Sequence, residues 1–287
     1  MLSLREYMIM KNYDGVASFF HIIPDQAAAL LKDPDVVDLL KSNEGTTSNY
    51  YKWEIYSKYF KINPRPKYTG FEELTSLEDK LRTDLFQRYH KHEFYNQVNG
   101  YREIFSENNQ LFEPVGRPDK FISVIRDFNN IKNFKEACLL AAKMTQELAK
   151  NKQIFVCLSG GLDSEFAAMC LKEAGVPFKA FIFDYNGKNK LDTNYAIEWC
   201  TNNNVEMIME TLDIEKFAEE EIYQFADFSG VTSPHILTLQ KMISVINEKY
   251  NGYPILGGEL RLLYKEGNFM FAFQWDKGEM HFMTFEK

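Results

Sequence analysis

Ser159, Gly160, Gly161, Leu162, Asp163 and Ser164 stand in consecutive positions, and their types are suited to holding an anion. Glycine lets a phosphate come close to the backbone, whose N–H groups point outward at the start of a helix, where the helix dipole favours negative charge. The flanking residues predict that setting. Ile154 to Leu158 form a continuous apolar run, as expected of a strand buried on both faces. Phe166 to Lys172 reads as a helix, with Asp163, Ser164 and Glu165 as acidic and capping residues at its start. The competing reading is an ordinary strand-to-helix turn. A Walker A loop is ruled out, because no Gly-Lys-Ser/Thr follows the glycines.

The elements that must position this loop follow in regular order. Phe134 to Lys150 is an amphipathic helix running into the first strand. Phe178 to Asp184 is a second buried strand, ending in the polar loop 185–190. A helix from the capping residue Asp192 to Asn202, a strand over 205–210, a helix capped by Asp213 and a helix opened by Ser233-Pro234 come next. Pro254-Ile-Leu256 is a fourth strand, delivering Gly257-Gly-Glu259. Alternating strands and helices predict a parallel α/β sheet covered on both faces, with ligands bound beyond the C-terminal strand ends. The tail, 268–285, has two alternating aromatic runs around Asp276-Lys-Gly278 and predicts a β-hairpin.

The region before about residue 118 reads as mostly helical with some strand. Helices are expected over 24–32, 35–41 and 71–95, while Tyr50 to Phe60 fits a strand or a helix. Glu113-Pro-Val-Gly-Arg-Pro118 punctuates the chain, so the expected division is 1–118, of unknown and substrate-related role, and 119–287. His90 and His92 are too close along a helix to face one metal ion, and His281 reads as structural. Arg82, Arg88, Lys91 and His92 form a basic face whose default is solvation.

Composition narrows the classes. The net charge of −8 argues against a nucleic-acid partner, since phosphate contacts need a basic face. The four cysteines form no Cys-x-x-Cys pair and read as buried thiols of a reducing compartment, so a cytoplasmic location is expected. There is no signal-peptide pattern and no apolar run long enough to span a membrane.

Ser159-Gly-Gly-Leu-Asp-Ser164 resembles the Ser-Gly-Gly-X-Asp-Ser signature of the PP-loop ATP pyrophosphatases, a superfamily with a Rossmann-like, adenine nucleotide alpha hydrolase-type sheet. Together with Leu256-Gly-Gly-Glu259, the order of elements over roughly 134–265 looks most like the synthetase domain of asparagine synthetase and its relatives. That resemblance implies ATP and Mg²⁺ as cofactors. It implies that Ser159, Gly160, Gly161, Asp163 and Ser164 hold the pyrophosphate portion, and that Leu158, Phe183 and Gly258 lie near the adenosine through backbone contacts. Leu162, Asp184 and Gly257 belong to the same expected pocket. Asp163 is the expected metal ligand and catalytic acidic group, with Glu259 as a second acidic contact. Lys188, Lys190, Arg261 and Lys265 adjoin the pocket loops, and Arg261 and Lys265 are the catalytic candidates for neutralising the departing charge. The second Asp-Glu pair of the asparagine synthetase pattern is missing, because Leu-Arg-Leu-Leu-Tyr follows Glu259. Residue 2 is Leu, not the nucleophilic Cys of a glutaminase domain, so a separate ammonia or amine donor is expected.

The leading expectation is therefore an AMP- and pyrophosphate-forming ligase acting on a small-molecule substrate. A tRNA-modifying sulfur or nitrogen transferase is the alternative; the acidic balance and the lack of the zinc-binding cysteine cluster of queuosine-pathway relatives count against it. An ATP-binding module without turnover is a further alternative, and the oligomeric state stays open.

Overall fold

The computed structural model describes residues 18–20, 24–62, 72–89, 101–105, 109–114, 123–125, 133–229, 233–258, 260–274 and 280–285. Its centre is a five-stranded parallel sheet built from β1 (Ser18–Phe20), β5 (Ile154–Cys157), β6 (Lys179–Asp184), β7 (Met207–Thr211) and β8 (Tyr253–Gly257), in the order β1-β8-β5-β6-β7. From β5 the chain steps outward through β6 and β7, then returns to place β8 on the other side of β5. The strand order reverses between β5 and β8, and a crevice opens at such a reversal beyond the C-terminal strand ends. The loops after β5 and β8 both emerge there.

Both faces of the sheet are covered, and alternate residues of each strand serve the two sides. Val156, Ala180, Ile182 and Ile255 join one buried cluster with Phe134 of α5 (Phe134–Ala149), Phe166 of α6 (Leu162–Glu173) and Trp199 of α7 (Lys190–Asn203). Phe155, Cys157, Phe181, Phe183 and Leu256 join the other, with Ile222 of α8 (Ile222–Ser229) and Leu237, Ile243 and Ile246 of α9 (Pro234–Tyr250). The expected doubly wound α/β arrangement is the one observed. A π-helical segment, Phe217–Glu221, interrupts the helical stretch that Asp213 opens by accepting the Lys216 N–H.

The earlier part of the chain enters the same core. Helices α1 (Pro24–Leu30), α2 (Pro34–Ser42) and α3 (Lys52–Tyr59) place Ala27, Leu30, Val36, Leu40, Ile55 and Tyr56 in the cluster of Phe134 and Phe166. The stretch Tyr50–Phe60, which fitted either period, is helical: Tyr51, Ile55, Tyr56 and Phe60 are the buried positions, a helical stripe. Helix α4 (Glu72–Tyr89) lends Leu81 and Leu85 to the opposite cluster. The strands β2 (Tyr101–Phe105), β3 (Asn109–Pro114) and β4 (Ser123–Ile125) form a separate antiparallel sheet.

The C-terminal hairpin is present as β10 (Asn268–Gln274) and β11 (Met280–Phe285), with Phe273 opposite His281, and β9 (Leu262–Lys265) extends it to three strands. The residues His90, His92 and Asp276-Lys-Gly278 lie outside the described residues. One helix start differs from expectation. Asp192 does not cap α7; the helix begins at Lys190, with Asn189 at the cap position, and Asp192 sits in its first turn. The Asn189 side chain serves the preceding loop instead, donating to the Phe183 carbonyl at 2.8 Å and accepting the Tyr185 N–H at 2.7 Å.

Candidate functional site

The loop after β5 is shaped by its own small residues. Leu158, just past the end of β5, donates its N–H to the Phe181 carbonyl of β6 at 2.9 Å. Gly160 then takes φ +82°, and a Cβ there would stand 2.1 Å from the Asp192 carbonyl oxygen, so the loop lies flat against the start of α7. Gly161 is extended and occupies the N-cap of α6, where no side chain caps the helix. The first N–H groups of an α-helix lack intrahelical acceptors, so this end of α6 offers donors to an anion.

Ser164 works inside the loop. Its buried hydroxyl donates to the Gly161 carbonyl at 2.9 Å and accepts the Ser159 N–H at 3.2 Å. The Ser159 hydroxyl accepts the Gly161 N–H at 3.2 Å and lies the same distance from that of Ser164. Two serines thus cross-brace the turn, and Ser159 remains exposed.

The end of β8 closes the other side. A Cβ on Gly257 would stand 2.7 Å from both the Asp163 carbonyl carbon and the Ser164 nitrogen, so only glycine permits β8 to lie this close to α6. Gly258 donates its N–H to the Phe20 carbonyl of β1 at 3.1 Å. Glu259 lies outside the described residues. At the end of β6, Phe183 is buried with its ring against Phe181 and Tyr185. The Asp184 carboxylate accepts the Gly187 N–H at 3.0 Å, which ties it into the polar turn. Burial first, then the charge of Asp192, pushes the Tyr185 phenol up to about 12, so it stays neutral beside the loop.

Asp163 has partners that sequence reasoning missed. Lys52 places its ammonium on one carboxylate oxygen, and the Tyr56 hydroxyl stands 3.4 Å from the other. Both come from α3, one helical turn apart. Tyr56 is fully buried; burial and then the charge of Asp163 hold its phenol well above its ordinary range, so it remains a donor. The helix is anchored over the loop. The Tyr56 ring stacks on Phe166 at 4.1 Å and 9°, and the buried Ser48 hydroxyl accepts the Leu262 N–H at 2.8 Å. The signal for these residues was the helical spacing of Tyr51, Ile55, Tyr56 and Phe60, which puts Lys52 and Tyr56 at i and i+4.

The other expected cations are distributed around this centre. Lys188 pairs with Glu215 at 3.0 Å, Lys265 is exposed and pairs with Glu266 at 3.6 Å, Lys190 is exposed, and Arg261 is half-buried. Leu162 is half-buried in the first turn of α6. All four cysteines are buried and unpaired in disulfides, and among the described residues no three His, Cys, Asp or Glu side chains gather as a metal cluster. Among the described residues no helix is long and apolar enough to cross a membrane.

Comparison with known families bears on this region. The model of the family described as "Queuosine biosynthesis protein QueC" matches residues 153–227, from the start of β5 into α8. No curated protein matches the chain. QueC is a PP-loop family, so the match supports the PP-loop ATP pyrophosphatase superfamily, a class of ATP-using enzymes. It does not bear out the asparagine synthetase-like pattern, and it sides with the alternative, a tRNA-modifying enzyme of this superfamily, over the ligase.

Proposed function

We propose that this chain uses ATP to activate an oxygen atom of a nucleobase-type substrate as an adenylate, which a nitrogen or sulfur nucleophile then displaces. The observation that carries the reading is the glycine-built loop Ser159–Ser164 at the sheet's switch point, inside the stretch that is similar to a queuosine biosynthesis family. The substrate oxygen attacks the α-phosphorus, the bond to the bridging oxygen breaks, and pyrophosphate leaves. AMP departs in the second step.

The chain's own contribution is placement and charge. The N-terminal N–H groups of α6 and the loop backbone would hold the phosphates. The backbones of Leu158, Phe183 and Gly258 border the adenosine side in this proposal, with Asp184 and Gly257 shaping the adjacent turns. Asp163 presents one carboxylate at the loop, and that fits a hard cation, which takes one or two carboxylates together with phosphate oxygens. Mg²⁺, when bound there, supplies neutralisation of the departing pyrophosphate. Glu259 is proposed as the second acidic contact, and Arg261 and Lys265 as outer cations. Residues 1–118 are proposed to contribute to substrate selection, since α3 lies directly over Asp163.

A second reading, amide or C–N ligation of a small free acid, draws on the element order that sets the end of β8 beside the Ser159–Ser164 loop, the order that resembles the asparagine synthetase domain. One experiment separates the two. The chain is incubated with Mg-ATP and, in turn, nucleobases, tRNA and small carboxylic acids, with ammonia or an amine supplied, and AMP and pyrophosphate are followed. Pyrophosphate release that needs a nucleobase or tRNA supports the first reading, and release that needs a free acid supports the second. ADP and phosphate as products would overturn PP-loop chemistry. Binding of ATP with no product under any condition would favour a binding module.

A further inference from the structure

We infer that Lys52 is a pyrophosphate-binding residue, whose ammonium exchanges the Asp163 carboxylate for the phosphate oxygens of ATP. The inference rests on the PP-loop reading of Ser159–Ser164. Its starting point is a contact between residues 111 positions apart, from α3 to the first turn of α6. An ammonium seated on that carboxylate stands beside the exposed donors of the helix end, where the phosphates of a PP-loop nucleotide would lie.

Three features separate this arrangement from an ordinary counter-ion pair. The pair is reachable, with side-chain exposures of 18% for Lys52 and 21% for Asp163. The helix that carries Lys52 is fixed to the loop helix: Tyr56 stacks on Phe166, and Phe60, just past the last turn, meets the same ring edge-on at 5.3 Å. The lysine stem is nevertheless a flexible four-carbon chain ending in a point charge, so the charge can move while its helix stays. Finally, Asp163 is the residue that a cation accompanying ATP would take. A cation on that carboxylate repels the ammonium, and the phosphate oxygens are the nearest new acceptors. No bond is made or broken; one ion pair is exchanged for another.

The test uses the full chain and inorganic pyrophosphate as the probe, with Mg²⁺ present at a fixed saturating concentration, by calorimetric titration. Adenosine is titrated in parallel, and the thermal midpoint is recorded for each variant. Lys52→Met is expected to weaken pyrophosphate binding roughly 10- to 100-fold while leaving adenosine binding unchanged, the scale of one lost charge-assisted hydrogen bond. Lys52→Arg keeps the charge and is expected to stay within about threefold of the parent. Equal pyrophosphate affinity in the parent and Lys52→Met would overturn the role of Lys52 while leaving the PP-loop reading standing. Loss of adenosine binding along with pyrophosphate would make Lys52 a structural residue and overturn it as well. A parent chain that binds neither ATP nor pyrophosphate would overturn the PP-loop reading, and this inference with it.

Discussion

Lys52 and Asp163 are paired across 111 residues, and the pair joins the helix of an unassigned region to the first turn of the loop helix. Neither side chain is fully buried, so the pair is worth less to stability than to the charge of the site. Asp163→Asn is expected to lower pyrophosphate release on the order of 100-fold, and to cost only about 1–2 kcal/mol of stability. Coupled assays of pyrophosphate and a denaturant titration check the two halves separately. Full activity in this variant would remove Asp163 from the chemistry.

Tyr56 serves the same carboxylate in a different way. Its ring stacks on Phe166 at 4.1 Å, while its hydroxyl stands 3.4 Å from Asp163, a long hydrogen bond. Packing is therefore the larger effect. Tyr56→Phe is expected to cost about 1 kcal/mol or less, and Tyr56→Ala about 3–5 kcal/mol, through the cavity left beside Phe166. Chemical denaturation of both variants decides the matter. Equal losses would show that the hydroxyl, not the ring, holds α3 against the loop.

What could be read in advance divides along a physical line. The elements from Phe134 to Gly257 were legible because each is a local pattern: Ile154–Leu158 is an apolar run, and Ser159–Ser164 is a contiguous motif. The strand β1, Ser18–Phe20, has three residues, too few to carry a period, and its place beside β8 is set by long-range pairing. Tyr50 to Phe60 was ambiguous because its aromatic residues satisfy periods of 2 and 3.6 at once. Burial of Tyr51, Ile55, Tyr56 and Phe60 in the core around Phe166 goes with the helix, which brings Lys52 to Asp163. The start of α7 was misplaced for a similar reason. Asn189 is recruited by the Phe183 carbonyl and the Tyr185 N–H, partners that a scan for capping residues does not see.

The glycines of the site differ in what holds them, and that difference can be measured. Gly187 has φ +75° with open space around its Cβ position, so Gly187→Ala meets only the backbone cost of about 1–2 kcal/mol. Gly160 has φ +82° and the Asp192 carbonyl oxygen at 2.1 Å, so Gly160→Ala combines that cost with a backbone clash. Gly257→Ala has no positive φ but drives β8 against Asp163 and Ser164. Both are expected to lose ATP binding and to fall below Gly187→Ala in thermal midpoint. A Gly257→Ala variant that binds ATP normally would mean that the β8 end is not part of the nucleotide site.

Acid sensitivity provides a check on the far edge of the sheet. Glu210 of β7 accepts from Lys249 at 2.5 Å and from the Tyr250 hydroxyl, both at the end of α9. The hydrogen bond from Lys249, then that from Tyr250, holds the carboxyl below its ordinary value of 4.5. A carboxylate with a lowered value in the folded state is stabilising above the unfolded value, and that contribution disappears as the pH falls through the folded one. Glu210→Gln is therefore expected to melt at a lower temperature than the parent at pH 7, with the gap closing below about pH 4.5 as the parent carboxylate takes up its proton. The pair is on the surface, so the gap at neutral pH should be small and should shrink further in high salt. Thermal midpoints of both proteins from pH 3 to 8 measure it. A gap that stays constant across that range would assign the difference to packing around Tyr250 instead of the charge on Glu210.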